Sequence, residues 1–168
     1  MTDERFWDLI EAAWAPLGAE VGAARRALTT RDPSTDAWEM PENSVVEKAL
    51  DAFLGNLEAA ARDLSADELT DLDRACERLL HDIDRADIHE VTDGSDDGFL
   101  YARGFIVAMG RDYYTAVVAD PRVAILDADC ESMCYFFAHV HHERFGTFPD
   151  TGSGISRESC SNREGWPD

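Results

Sequence analysis

Basic residues are scarce in this chain. Lysine and arginine together number 15 against 35 aspartates and glutamates, the formal net charge is −20, and Lys48 is the one lysine. Nucleic acid and anionic lipid are themselves negatively charged, so this balance opposes both as partners. It favours solubility and a basic partner protein. The arginine-over-lysine bias also suits a high-GC or salt-adapted host, which gives the acidity a compositional reading beside the functional one. Long apolar runs are absent too: no stretch approaches the roughly 18 residues of a membrane span, and the start, Met1-Thr2-Asp3-Glu4-Arg5, has no signal-peptide core. A cytoplasmic location is expected. The four cysteines, Cys76, Cys130, Cys134 and Cys160, form no secreted-type framework and are expected to be reduced. Gly-x-Ser-x-Gly, a phosphate-cradling glycine loop and His-Glu-x-x-His are all missing, so no catalytic residue and no cofactor is assigned.

What is present is enough apolar material for one core: 45% of the 168 residues are hydrophobic. There is no internal repeat and no alternation that demands a strand. The predicted fold class is all-α, a single-domain bundle of about five helices. Its helical domain spans residues 1–146, and a loosely ordered tail, with Trp166 able to dock, spans 147–168. The first helix starts at Thr2 or Asp3 and carries Phe6, Leu9, Ile10, Ala13 and Trp14 on one face, and a short helix over Ala19 to Leu28 follows. Residues 29–43, with two prolines, read as a long loop. Ser44 with Glu47, and Ser65 with Glu68, have capping-box spacing at the next two helix starts. The second of these helices carries Leu69, Leu72, Cys76, Leu79, Leu80 and Ile83 in three- and four-residue steps. Residues 86–94 lose the pattern and connect to a glycine-rich helix over Asp96–Val118. A final helix spans Asp129–Phe145.

Three constellations could carry chemistry. Asp93, Ser95, Asp97 and Gly98 have the spacing that opens a calcium loop, but position 12 is Gly104 instead of a bidentate glutamate. Ser95 or Asp96 as a helix cap accounts for the pattern better. Cys130, Cys134 and His141 share a helical stripe, with His139 and His142 nearby, and Cys160 is the one distant sulfur that could complete a zinc site. Burial as small hydrophobes is the plainer role for such cysteines. Arg103 and Arg111, eight residues apart, point within about 80° of each other on an ideal helix. They could line an anion or carboxylate pocket with Tyr101 and Tyr113, or pair with carboxylates of neighbouring helices. Asp96 and Asp97 with the same two arginines are the candidate centre of a small-ligand or metal site. Gly104 and Gly110 are expected to allow close helix packing, since glycine costs about 1 kcal/mol against alanine inside a helix. The run Tyr135-Phe136-Phe137 reads as core, with a partner surface as the alternative.

The segments Phe6-Trp7-x-Leu9-Ile10, Leu64-Ser65-x-x-Glu68-Leu69 and Ser95-Asp96-Asp97-Gly98-Phe99, followed by Arg103-Gly104-Phe105, Gly110-Arg111 and Ala119-Asp120-Pro121, resemble the bacterial domain-of-unknown-function family 4240. Glu131 and Tyr135-Phe136 ahead of Gly146 fit the family's last helix. The tryptophan-rich stretch usual before Ser-Asp-Asp-Gly-Phe is replaced here by residues 84–94, which hold no tryptophan, and residues 18–43 look like extra length. The resemblance implies a small, mainly helical bacterial cytoplasmic domain and brings no reaction with it. Three functions follow as expectations. The first is an acidic protein-interaction or regulatory module, for instance an antagonist of a basic protein. The second is a small-anion or metal-binding domain on the Ser95–Gly110 helix, and the third is an uncharacterised enzyme.

Overall fold

The structure is a computed structural model that describes residues 2–92 and 94–167. Its helices are α1 (Thr2–Trp14), α2 (Ala19–Thr30), α3 (Pro41–Ala61), α4 (Ala66–Asp82), α5 (Ala86–Thr92), α6 (Asp96–Ala108), α7 (Arg111–Ala119), α8 (Glu131–Cys134) and α9 (Phe136–Phe145). Four 3₁₀ turns complete the elements, and no strand occurs among the described residues. The all-α class is as expected. The count is not, because short helices stand where longer ones were predicted.

α6 is the core helix. It buries Phe99, Leu100 and every residue from Ala102 to Ala108, so it is wrapped on all sides. α1 lays Phe6, Ile10 and Trp14 into the same core; the Trp14 ring stacks on Phe53 of α3 at 4.4 Å, and its Nε1 donates to the Ala108 carbonyl at 2.7 Å. α4 begins at a complete capping box: Ser65 Oγ accepts from Glu68 N, and Glu68 accepts from Ser65 N at 2.7 Å. Its leucine stripe, from Leu69 to Leu80, is buried.

Several boundaries correct the sequence reading. The predicted helix over 96–118 breaks at Gly110, whose φ of 99° lies in the left-handed region. Arg25 donates to the Met109 carbonyl there at 2.7 Å, satisfying a group that the broken ladder exposes. The last helix breaks at Tyr135 (φ −131°, ψ 27°) into α8 and α9. The long loop shrinks, since α2 reaches Thr30 and α3 starts at Pro41, which needs no N–H at the first helical position. Ser44 and Glu47 therefore lie inside α3 and cap nothing; Met40 is its N-cap. Residues 86–92 form α5 despite the weak pattern, because Ile88 and Thr92 reach the core. The proposed Thr2 cap concerns a side chain outside the described ones.

The tail residues Arg157 and Trp166 lie against the bundle. Arg157 is buried beside Asp73 and Glu77 of α4, with its Nη2 2.7 Å from Asp73 Oδ1 and 3.5 Å from Glu77 Oε2. Trp166 packs on His89 and Phe99, at 5.4 and 5.9 Å between centroids, at the base of the tryptophan-free 84–94 stretch. Both anchors are held by residues far earlier in the chain, which no local periodicity reveals.

Candidate functional site

Gly104 decides where α8 can sit. A methyl group on it would run into the Cys130 carbonyl and Cys134 Sγ, so glycine permits the close approach of α8 to α6. The close packing expected of Gly104 is thus realised. With α8 seated there, the break at Tyr135 turns α9 away and leaves a groove of about 450 Å³ between α6, α8, α9 and the C-terminal half of α3.

Five carboxylates rim this groove: Glu58, Asp97, Glu131, Glu143 and Glu158. Its floor is aromatic and apolar, from Leu100, Tyr101, Tyr135, Phe136 and Val140, with Tyr135 38% exposed. No lysine or arginine lines it, and none of the five carboxylates joins an ion pair among the described residues. Elsewhere, arginines such as Arg5, Arg74, Arg78 and Arg111 are paired to acids. The Glu131 charge beside Tyr101 pushes that phenol above its ordinary value. Tyr135 is raised as well, chiefly by burial. Both tyrosines stay neutral and offer their rings and hydroxyls. Such a surface attracts cations electrostatically and through ring faces.

A second hollow of about 650 Å³ shares Tyr135, His139 and Glu158 with the groove, and the Asp73–Glu77–Arg157 group forms its inner wall. Two carboxylates four residues apart on α4 share one guanidinium here. Burial raises Asp73 above the usual carboxylate value, against the pull of Arg157, and the Glu77 charge adds to the rise. Burial works against the Arg157 charge, but Cys76, Asp73 and Glu77 outweigh it and hold the guanidinium above its ordinary value. Arg157 also donates to the Cys134 carbonyl, and its Cζ lies 4.7 Å from the Tyr135 ring centre. The tail thereby fixes the ring that divides the two hollows.

The residues singled out in the sequence are dispersed. Asp96 and Asp97 are exposed in the first turn of α6, where Ser95 is the cap, accepting from Gly98 N at 3.2 Å. Asp97 and Tyr101 enter the acidic groove. Arg103 does not: it is fully buried, donating to the carbonyls of Leu80 and Arg157 at 2.9 Å and to Ser159 Oγ at 3.2 Å, over the Phe99 ring. Burial lowers its pKa. Arg111, beyond the Gly110 break, is an exposed partner of Glu4 at 3.1 Å. Tyr113 is buried and donates to the Val123 carbonyl. The two-arginine pocket is therefore not assembled, because the helix that would align its members is broken.

Cys130 and Cys134 are buried, and Cys134 Sγ faces the Leu100 carbonyl at 3.3 Å. Burial raises their thiols to about 11 and about 12. His141 lies on the far side of the Tyr135 break, its Nδ1 2.5 Å from the Thr147 carbonyl. Among the described residues no group of three His, Cys, Asp or Glu side chains is placed to hold a metal ion. Asp93, the first calcium-loop position, lies outside the described residues.

Glu58, Glu143, Glu158 and Arg157 were not legible as site residues. Of these, Glu58 alone left a sequence signal, the acidic spacing of Glu47, Asp51 and Glu58 on a single face of α3. The sites, with α6 at the centre, define a small all-helical protein carrying an acidic, aromatic-floored groove. The chain belongs to the protein family of unknown function DUF4240, whose profile matches residues 1–142. No curated protein and no solved structure matches it. The tail that supplies Arg157 and Trp166 lies beyond the matched residues. No helix among the described residues is long and apolar enough to cross a membrane.

Proposed function

We propose that this protein is an interaction module whose α6–α8–α9 groove receives a basic, amphipathic segment of a partner protein. The observation that carries this reading is the groove itself: five carboxylates without a single lysine or arginine among the lining residues, over an aromatic floor. A partner helix with arginines along one edge and apolar residues along its face would match the rim and the floor together. Charge of this kind speeds encounter and sets specificity. The four free thiols, with Cys160 exposed, support a reducing compartment such as the bacterial cytoplasm.

The test is titration of the protein with an arginine-edged amphipathic helical peptide, followed by fluorescence anisotropy across a salt series. Affinity should fall as salt rises, and Glu131→Gln with Glu143→Gln should weaken binding about tenfold and flatten the salt dependence. Affinity indifferent to both salt and these substitutions would overturn the reading.

A further inference from the structure

Asn43 occupies an odd place. It falls in register with Val46, Leu50, Phe53 and Leu57 on the apolar face of α3, and it is 5% exposed. Its side-chain amide makes no hydrogen bond to another described residue, and its polar atoms are not fully closed off from solvent, so its hydrogen-bonding capacity is open to a ligand. Asn43 lines a small, partly open cavity of about 90 Å³ between the N-terminal half of α3 and the turn before α8.

The other walls have a matching character. Phe105 and Leu50 close the apolar side. Trp38, 48% exposed, stands at the mouth with its Nε1 committed to the Leu126 carbonyl at 2.7 Å, so what the indole offers the cavity is π surface. Glu47, Asp127 and Asp129 complete the lining, and none of them joins an ion pair among the described residues. Asp127 reaches its position through a left-handed backbone, φ 59°. These carboxylates are not grouped as metal ligands. The space suits a cationic organic group.

We infer that this cavity is a socket for the guanidinium of one arginine side chain from the basic partner. The planar cation stacks against Trp38, hydrogen-bonds to the Asn43 amide oxygen and is neutralised by the carboxylate rim. The inference rests on the proposed interaction function for the source of the arginine. It concerns a different place, because Glu47 and Glu58 lie eleven residues, roughly 16 Å, apart along α3.

The chain has three asparagines and no glutamine, so the side-chain amide region of a ¹⁵N spectrum holds only the signals of Asn43, Asn56 and Asn162. The whole protein is titrated with a blocked five-residue peptide holding one arginine between alanines, and with the same peptide carrying neutral, isosteric citrulline. The arginine peptide should shift the Asn43 amide pair and the Trp38 indole signal saturably, while the citrulline peptide leaves them in place. Trp38→Leu should weaken the effect about two- to fivefold, and Asn43→Leu, an apolar residue on an apolar face, should abolish the indole shift.

An unmoved Asn43 pair in the folded protein, or equal shifts from citrulline, would overturn the socket. So would methylguanidinium binding more tightly than the peptide, since the occupant would then be a free small cation. Trp38 is exposed, so its variant keeps the test open if Asn43→Leu fails to fold. Glu131→Gln and Glu143→Gln do not touch this cavity, so loss of peptide binding at the larger groove and loss of the socket are read separately.

Discussion

Trp166 donates its indole N–H to the buried Asp84 carboxylate at 2.8 Å, across 82 positions of chain. The same carboxylate accepts from the backbone N–H groups of Cys160, Ser161 and Asn162 at 3.0, 2.7 and 2.9 Å. Four donors thus stabilise a buried charge that has no basic side chain in an ion pair with it among the described residues. Asp84→Asn removes the charge and turns an NH₂ group toward those donors. A loss of about 2–3 kcal/mol is expected, measured by chemical denaturation, together with faster tryptic cleavage after exposed Arg163. An unaltered cleavage rate would mean that other contacts hold the tail.

Arg157→Met leaves Asp73 and Glu77 buried without their cation. Breaking such a group costs about 3–5 kcal/mol, and the defect should depend on pH. Asp73 is already raised by burial, and with the guanidinium gone nothing opposes that rise in the folded state. The variant therefore loses stability as pH rises through the unfolded carboxylate range, and its deficit against wild type is smaller near pH 4 than at pH 7. A deficit constant across that range would refute the role given to the Asp73 carboxylate.

Two glycines should respond in opposite ways. Gly104→Ala forces α8 away from α6 and is expected to cost about 1–3 kcal/mol through its collision with Cys130 and Cys134. Gly55, inside α3, has open space where its Cβ would lie. Gly55→Ala should stabilise by about 0.5–1 kcal/mol. Thermal melts of the two single variants decide the matter.

Glu68 titrates at about 2, held down chiefly by the Ser65 backbone N–H, with Arg5 and the Ser65 hydroxyl assisting. Its folded value lies below its ordinary 4.5. The contribution is therefore present above that ordinary value and fades as pH falls toward 2. Ser65→Ala removes half of the capping box and should lower the melting temperature by about 2–4 °C near neutral pH. Glu68→Gln should shrink the difference between pH 5 and pH 2.5. If its acid limb matched wild type, the carboxylate would not be the group that titrates.

Much of this architecture is written locally. The α4 stripe and the Ser65–Glu68 box depend on neighbours three or four residues apart, so their spacing alone specifies them, and the all-α class follows from many such segments. The Gly104 close approach was legible because a glycine inside an apolar helix requires a compensating contact. The rest was decided at long range. The break at Gly110 parts Arg103 from Arg111, and it becomes visible only when Arg25 and Glu11 are seen to occupy the space that a Cβ would fill. Asn43 looks like any first-turn polar residue until Phe105 and Asp127 close around it. Of 35 carboxylates, sequence could not say which are buried, which are paired and which stand free around a groove. Charge at a point is set by everything packed near it, and for Asp84 and Asp73 those neighbours arrive from the far end of the chain.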